Sequence, residues 1–149
     1  MCIEISEREK HMRKTLLFLI TPFLLLLSFS SISGDTVSPL TIEGATSIDT
    51  LKAKELFDKG ALFVDVRSNK DWDAGRIPDA LHLELKKVFN EQSLSKEAGK
   101  DEAMIIYCNG EKCLRSSKAT TLAVSWGFKK LFYYRDGLPA WKKAGYPVE

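Results

Sequence analysis

The sequence predicts an α/β domain built on a central, mainly parallel β-sheet flanked by helices on both faces. Three apolar runs, at residues 62–64, 104–107 and 131–134, are continuous rather than alternating, as in strands covered on both sides. Between the last two lies a segment whose apolar residues recur at helical spacing. Strands alternating with helices give parallel pairing through helical crossovers. A length of 149 residues suits one domain, and 44% hydrophobic content excludes a disordered chain. Lys and Arg number 22 against 20 Asp and Glu, a net charge of +2 that gives no electrostatic reason to expect nucleic acid. Three cysteines and two histidines exclude a disulfide scaffold and leave no evident metal site.

The chain begins with an address. Residues 16–27 read LLFLITPFLLLL, preceded by Arg13 and Lys14 and followed by SFSSISG. A charged start, a short apolar stretch and small residues form the secretory layout. Ser31 and Ser33 stand three and one before a cut ahead of Gly34. Residues 1–33 are therefore expected to be a signal peptide, and the protein to be exported to a periplasm or secreted. Twelve residues fall short of the roughly 20 that span a bilayer. An uncleaved anchor is the alternative, and the only route to membrane contact. Glu4, Glu7 and Glu9 are out of place before a signal, whereas MRKTLLFLITPF from Met12 is clean, so Met12 is a candidate true start. Cleavage removes Cys2, four basic and three acidic residues, leaving 116 residues, a net +1 and two cysteines.

Residues 34–44 read as a flexible lead with some early edge structure, and residues 45–149 as the folded domain. A short strand is expected at 45–48, then a helix capped by Asp49 or Thr50, with Ala53, Leu56 and Phe57 on one face and Gly60 at its end. The strand at 62–64 follows. Residues 86–100 are polar and irregular, with one helical turn around Val88 and Phe89. After the strand at 104–107, a helix over 116–126 carries Ala119, Leu122, Ala123 and Trp126 on one face, and Gly127 closes it. Trp72, Trp126 and Trp141 read as packing residues, and Lys142 and Lys143 as a solvated helix face.

In such sheets chemistry gathers at loops leaving the carboxyl ends of strands. One loop stands out: MIIYCNGEKCLRSSK, residues 104–118. Cys108 ends a buried strand, and a helix opens near Ser116. Backbone N–H groups and the positive end of that helix favour an anion there. Lys112 and Arg115 are expected to lower the Cys108 pKa further, and Gly110 gives the loop freedom to curl around the sulfur. The alternative is a merely buried strand-end cysteine.

Wider motifs extend this reading. Residues 64–83, VDVRSNKDWDAGRIPDALHL, resemble the first signature of rhodanese domains. YCNGEKCLRSS is similar to their active-site loop, and DGLPAWKKAGYPV (136–148) to their closing segment. The resemblance implies a rhodanese-like fold and a sulfurtransferase that carries sulfane sulfur as a cysteine persulfide. Cys108 matches the persulfide-forming cysteine, and Asn109, Gly110, Glu111, Lys112, Cys113, Leu114, Arg115 and Ser116 the substrate-binding loop. The family's usual loop, C-x-x-G-x-R-[ST], puts arginine five positions after the cysteine. Here Cys113 stands there and Arg115 comes two later, so the loop is extended. Relatives with a longer loop, such as dual-specificity phosphatases, want arginine where this chain has Leu114.

Cys113 has three open roles: a disulfide with Cys108, a resolving thiol that attacks its persulfide, or packing under the loop. Asp65 and Arg67 are expected to form a structural ion pair that braces the loop. His82 reads as structural, and Glu111 as an exposed loop residue rather than a general acid. The leading expectation is transfer from an anionic donor (thiosulfate, polysulfide or persulfide) to a thiol or cyanide, with no metal or organic cofactor and a protein thiol as a further candidate partner. The rivals are a persulfide or disulfide reductase using both cysteines, and a non-enzymatic sulfur carrier or binding module.

Overall fold

The computed structural model describes residues 37–149, so the expected signal peptide and the first residues of the lead lie outside it. Five strands form one sheet: β1 (Thr46–Ser47), β2 (Leu62–Asp65), β3 (Leu81–His82), β4 (Ala103–Tyr107) and β5 (Lys130–Tyr134). Their order is β1-β5-β4-β2-β3, and every pairing is parallel. The expected mainly parallel sheet is thus wholly parallel, with β4, the strand that ends at Cys108, in the centre.

Five helices accompany it among the described residues: α1 (Thr50–Asp58), α2 (Asn69–Asp73), α3 (Glu91–Glu97), α4 (Arg115–Ser125) and α5 (Gly137–Lys143). None is long and apolar enough to cross a membrane. The pleat of β4 divides the core. Met104, Ile106 and Cys108 pack with Leu94 of α3 and Ala119 and Ala123 of α4. Ile105 and Tyr107 face the other way, onto Ala53 of α1 and Leu138 and Trp141 of α5. Successive residues of a strand point to opposite faces, so one central strand serves two half-cores.

Local chemistry fixes the ends of these elements. Asp49 caps α1 by accepting the Lys52 N–H at 2.8 Å, as expected. Residues 91–97, expected to be irregular, form α3 instead. Its only buried apolar residue, Leu94, leaves no periodic signal, yet Asn90 and Ser93 cap it reciprocally, each side chain accepting from the other's backbone N–H. In α4 the buried stripe is Ser116, Ala119, Thr120 and Ala123, whereas Leu122, expected on that face, is 39% exposed. Small side chains at helical spacing bring α4 close to the sheet, and Leu122 lies off their stripe.

The lead is not free along its whole length. Ser38 is buried, and both its N–H and its hydroxyl donate to the Glu111 carbonyl oxygen, at 2.7 and 2.8 Å. Its own carbonyl accepts from Arg135 Nε at 3.1 Å, and that of Pro39 from the Tyr133 hydroxyl at 3.2 Å. From Ser38 onward the lead is fixed, because its polar groups find partners in the loop after β4 and at the carboxyl end of β5.

Trp141 anchors the α1/α5 side. It meets Phe57, Phe63 and Tyr146 edge-on, at centroid distances of 5.4, 5.7 and 5.0 Å, and its indole N–H donates to the Pro147 carbonyl at 2.7 Å. Trp141→Ala is expected to cost about 3–5 kcal/mol, measured as a shift of the urea unfolding midpoint.

Candidate active site

The loop between β4 and α4 is held from two sides. On one, the end of β2 supplies a buried ion pair. Arg67 Nη2 lies 2.6 Å from Asp65 Oδ2, and Arg67 Nε and backbone N–H both donate to the same carboxylate at 2.9 Å. The guanidinium has donors left over. Nη2 also reaches the Gly75 carbonyl at 2.8 Å, and Nη1 reaches Asn109 Oδ1, in the loop, at 3.3 Å. The Tyr107 ring lies under the guanidinium at 5.8 Å, and its phenol pKa is pushed up by burial and by the Asp65 carboxylate. The expected ion pair is present and touches the loop.

On the other side, the turn after β5 meets the turn after β4, backbone to backbone. The Leu138 N–H donates to the Cys108 carbonyl at 3.0 Å. Gly137 sits beside that carbonyl with φ +59, where an added Cβ would lie 2.2 Å from the oxygen. Only glycine fits the conformation and the approach. Sequence reading gave Gly137 no role of its own. Its signal was a glycine three residues past the end of an apolar strand.

Within the loop, the Cys113 N–H closes a turn onto the Gly110 carbonyl at 2.9 Å and folds Cys113 back over Cys108. Cys108 is buried completely and Cys113 only in part, and both are free thiols. Cys108 Sγ lies 3.3 Å from the Cys113 carbonyl oxygen and 3.2 Å from Ser116 Oγ. Cys113 also packs against the core cluster that holds Cys108.

The surroundings of the two thiols differ. The Cys113 pKa is lowered to about 6, first by the neighbouring Cys108 thiol, against burial, and then by the N–H groups of Asn109 and Arg115 and the Arg115 charge. The Cys108 pKa is pushed up, first by the neighbouring Cys113 thiol and then by burial. A carbonyl oxygen beside Cys108 suits a thiol and disfavours an ion. The Ser116 hydroxyl lies beside Cys108 at 3.2 Å, and the Asn109 and Arg115 N–H groups lower the Cys113 pKa.

The remaining loop residues separate by position. Arg115 is steered by Asp71 at 3.3 Å, a partner in α2 that sequence reading did not single out. Glu111 pairs with Arg135 at 2.9 Å while its carbonyl holds Ser38, so it clasps the loop to β5 and the lead. Leu114 is half-buried and Lys112 exposed. His82 stacks on Trp72 at 4.5 Å, with Nε2 3.2 Å from the Arg67 carbonyl, and stands as a packing residue. An open cavity of about 450 Å³ lies on the outer side of the loop, between Asn109–Lys112 and Asp136, Pro139 and Lys143. Neither cysteine lines it.

The wholly parallel sheet puts the two-cysteine loop at the carboxyl end of its central strand, where open α/β sheets bind their ligands. A family model described as Rhodanese-like domain matches residues 49–144. The chain belongs to that family. It is 32% identical over 87 residues to a sulfurtransferase of Allochromatium vinosum, covering 58% of this chain and 77% of that one. Identity is 28% over 99 residues to the thiosulfate sulfurtransferase GlpE of Pseudomonas syringae, covering 66% and 87%. The solution structure of the rhodanese-like domain from the Alr3790 protein of Anabaena superposes with a TM-score of 0.60 at 25% identity, covering 69% and 77%.

Two measurements probe the site. Gly137→Ala forces a left-handed backbone and a clash with the Cys108 carbonyl, and is expected to lower stability by at least about 2 kcal/mol in urea unfolding. Brief alkylation of the reduced protein should label Cys113 with a half-maximal rate near pH 6, rising with pH as the thiolate forms, while Cys108 stays unlabelled at neutral pH.

Proposed function

We propose that the protein is a sulfurtransferase that takes sulfane sulfur from a small anionic donor (thiosulfate, a polysulfide or a persulfide) and delivers it to a thiol or to cyanide. The observation that carries this reading is the placing of two free thiols in one loop, one fully buried and one partly exposed, at the carboxyl end of the central strand. Membership of the rhodanese-like family and relatives named sulfurtransferase support it.

The sulfur is stored as a persulfide on Cys108. Complete burial keeps that reactive group from water and oxidants. The Ser116 N–H and hydroxyl, at the start of α4, stabilise its charge. Arg115, and Lys112 on the exposed rim, attract the donor anion. An acceptor thiolate then removes the outer sulfur and restores the Cys108 thiol. The proposed setting is outside the cytoplasm, following the expected signal peptide.

Reduced protein treated with thiosulfate should gain the mass of one sulfur atom and lose it on addition of cyanide with formation of thiocyanate. Cys108→Ser is expected to lower turnover by roughly a thousand-fold or more. Absence of any sulfur adduct with thiosulfate, polysulfide and a persulfide would sink the proposal. A stable adduct without turnover would mark a carrier instead.

A further inference from the structure

We propose that Cys113 is a second catalytic cysteine, which takes the sulfur from the donor first and passes it inward to Cys108. The inference rests on the sulfurtransferase reading and adds an order of events to it.

Three features of the loop lead there. Accessibility comes first: Cys108 has no exposed surface, whereas Cys113 is only partly buried, so a donor arriving from solvent meets Cys113. Charge comes next. Cys108 Sγ faces the Cys113 carbonyl oxygen at 3.3 Å, which disfavours charge there, while the Asn109 and Arg115 N–H groups and the Arg115 charge favour an anion at Cys113. The thiolate is the nucleophile, and the loop keeps it on the outer cysteine. Contact is the third, because Cys108 Sγ already lies 3.3 Å from the backbone carbonyl of Cys113, and Cys113 packs against the core cluster that holds Cys108. No long movement separates the two steps.

In the first step, the Cys113 thiolate attacks the outer sulfur of thiosulfate. The new S–S bond forms as the old one breaks, and sulfite leaves with its electron pair. In the second, the Cys108 sulfur attacks the outer sulfur of the Cys113 persulfide. The Cys108 proton moves to that terminal sulfur, the Cys113 S–S bond breaks, and Cys113 returns as thiolate. Each step exchanges one S–S bond for another, and no external oxidant or reductant is consumed.

Attack on the inner sulfur would instead expel sulfide and leave a Cys108–Cys113 disulfide. The environment of Cys113 opposes that outcome. A thiol whose anion is stabilised leaves faster in exchange reactions, and the groups around Cys113 stabilise its anion. Outer attack therefore regenerates the resting arrangement.

The test compares reduced wild-type protein, Cys113→Ser and Cys108→Ser after brief exposure to thiosulfate, with alkylation and peptide mapping of the sulfur. In the wild type the sulfur is expected on Cys108, and in Cys108→Ser it should stop on Cys113. Cys113→Ser should load Cys108 at least ten-fold more slowly, with the pH dependence of loading displaced upward from its wild-type midpoint near pH 6. Cys113→Ala should match Cys113→Ser, and circular dichroism of both variants checks the fold. Loading of Cys108 in Cys113→Ser at the wild-type rate and pH profile would overturn the relay and leave the sulfurtransferase reading standing. So would a Cys108→Ser protein with no sulfur on Cys113, or a wild type that ends as the disulfide with one sulfide released. A wild type that takes up no sulfur from any donor overturns both.

Discussion

The buried pair of Asp65 and Arg67 is the interaction on which the geometry of the loop depends. Removing either charge alone leaves the other without a partner in a site closed to water, a loss of about 3–5 kcal/mol in comparable cases. The pair occupies the carboxyl end of β2, beside the central strand. Through the remaining guanidinium donors it also fixes two segments that share no regular hydrogen bonding: the turn at Gly75 and the loop at Asn109. Asn109 is the first residue after Cys108. One cation thus sets where the loop leaves the sheet.

From that point the loop follows from backbone contacts. Gly137 lets the α5 turn press against the Cys108 carbonyl, and the Gly110 carbonyl takes back the Cys113 N–H. Two extra residues between cysteine and arginine supply enough chain for Cys113 to cover Cys108. The outcome places two sulfurs in one loop in different settings: one enclosed, the other partly open to solvent. In a shorter loop one sulfur must be both protected and reactive. The extension separates those demands.

The sheet was legible because its strands are short apolar runs with no competing period, and α1 because Asp49 and an apolar face agree. Residues 91–97 were not, since one buried leucine makes no pattern and the reciprocal cap of Asn90 and Ser93 lies in polar residues that also suit a loop. Leu122 misled for the opposite reason. Hydrophobicity weighed more than the run of small residues that lets α4 sit close to the sheet. The thiol pair was visible as spacing, and Asp65 with Arg67 as a candidate brace. The different surroundings of the two sulfurs were hidden, because they depend on where the backbone groups of the folded loop fall, such as the Cys113 carbonyl beside Cys108. Spacing places Lys112 and Arg115 near both sulfurs and cannot say which sulfur the backbone donors face.

The clasp at Ser38 bears on the order in which the molecule assembles. Ser38 is bonded to Glu111, 73 residues away, and its carbonyl to Arg135, 97 residues away. These closures span nearly the entire described chain, and contacts of such separation form late because the intervening chain must first be ordered. The segment synthesised first among them waits for β5, the last strand of the sheet. The loop that carries both thiols is consequently among the final parts to set. Until then the Glu111 end of that loop is without the bonds that tie it to the start of the domain.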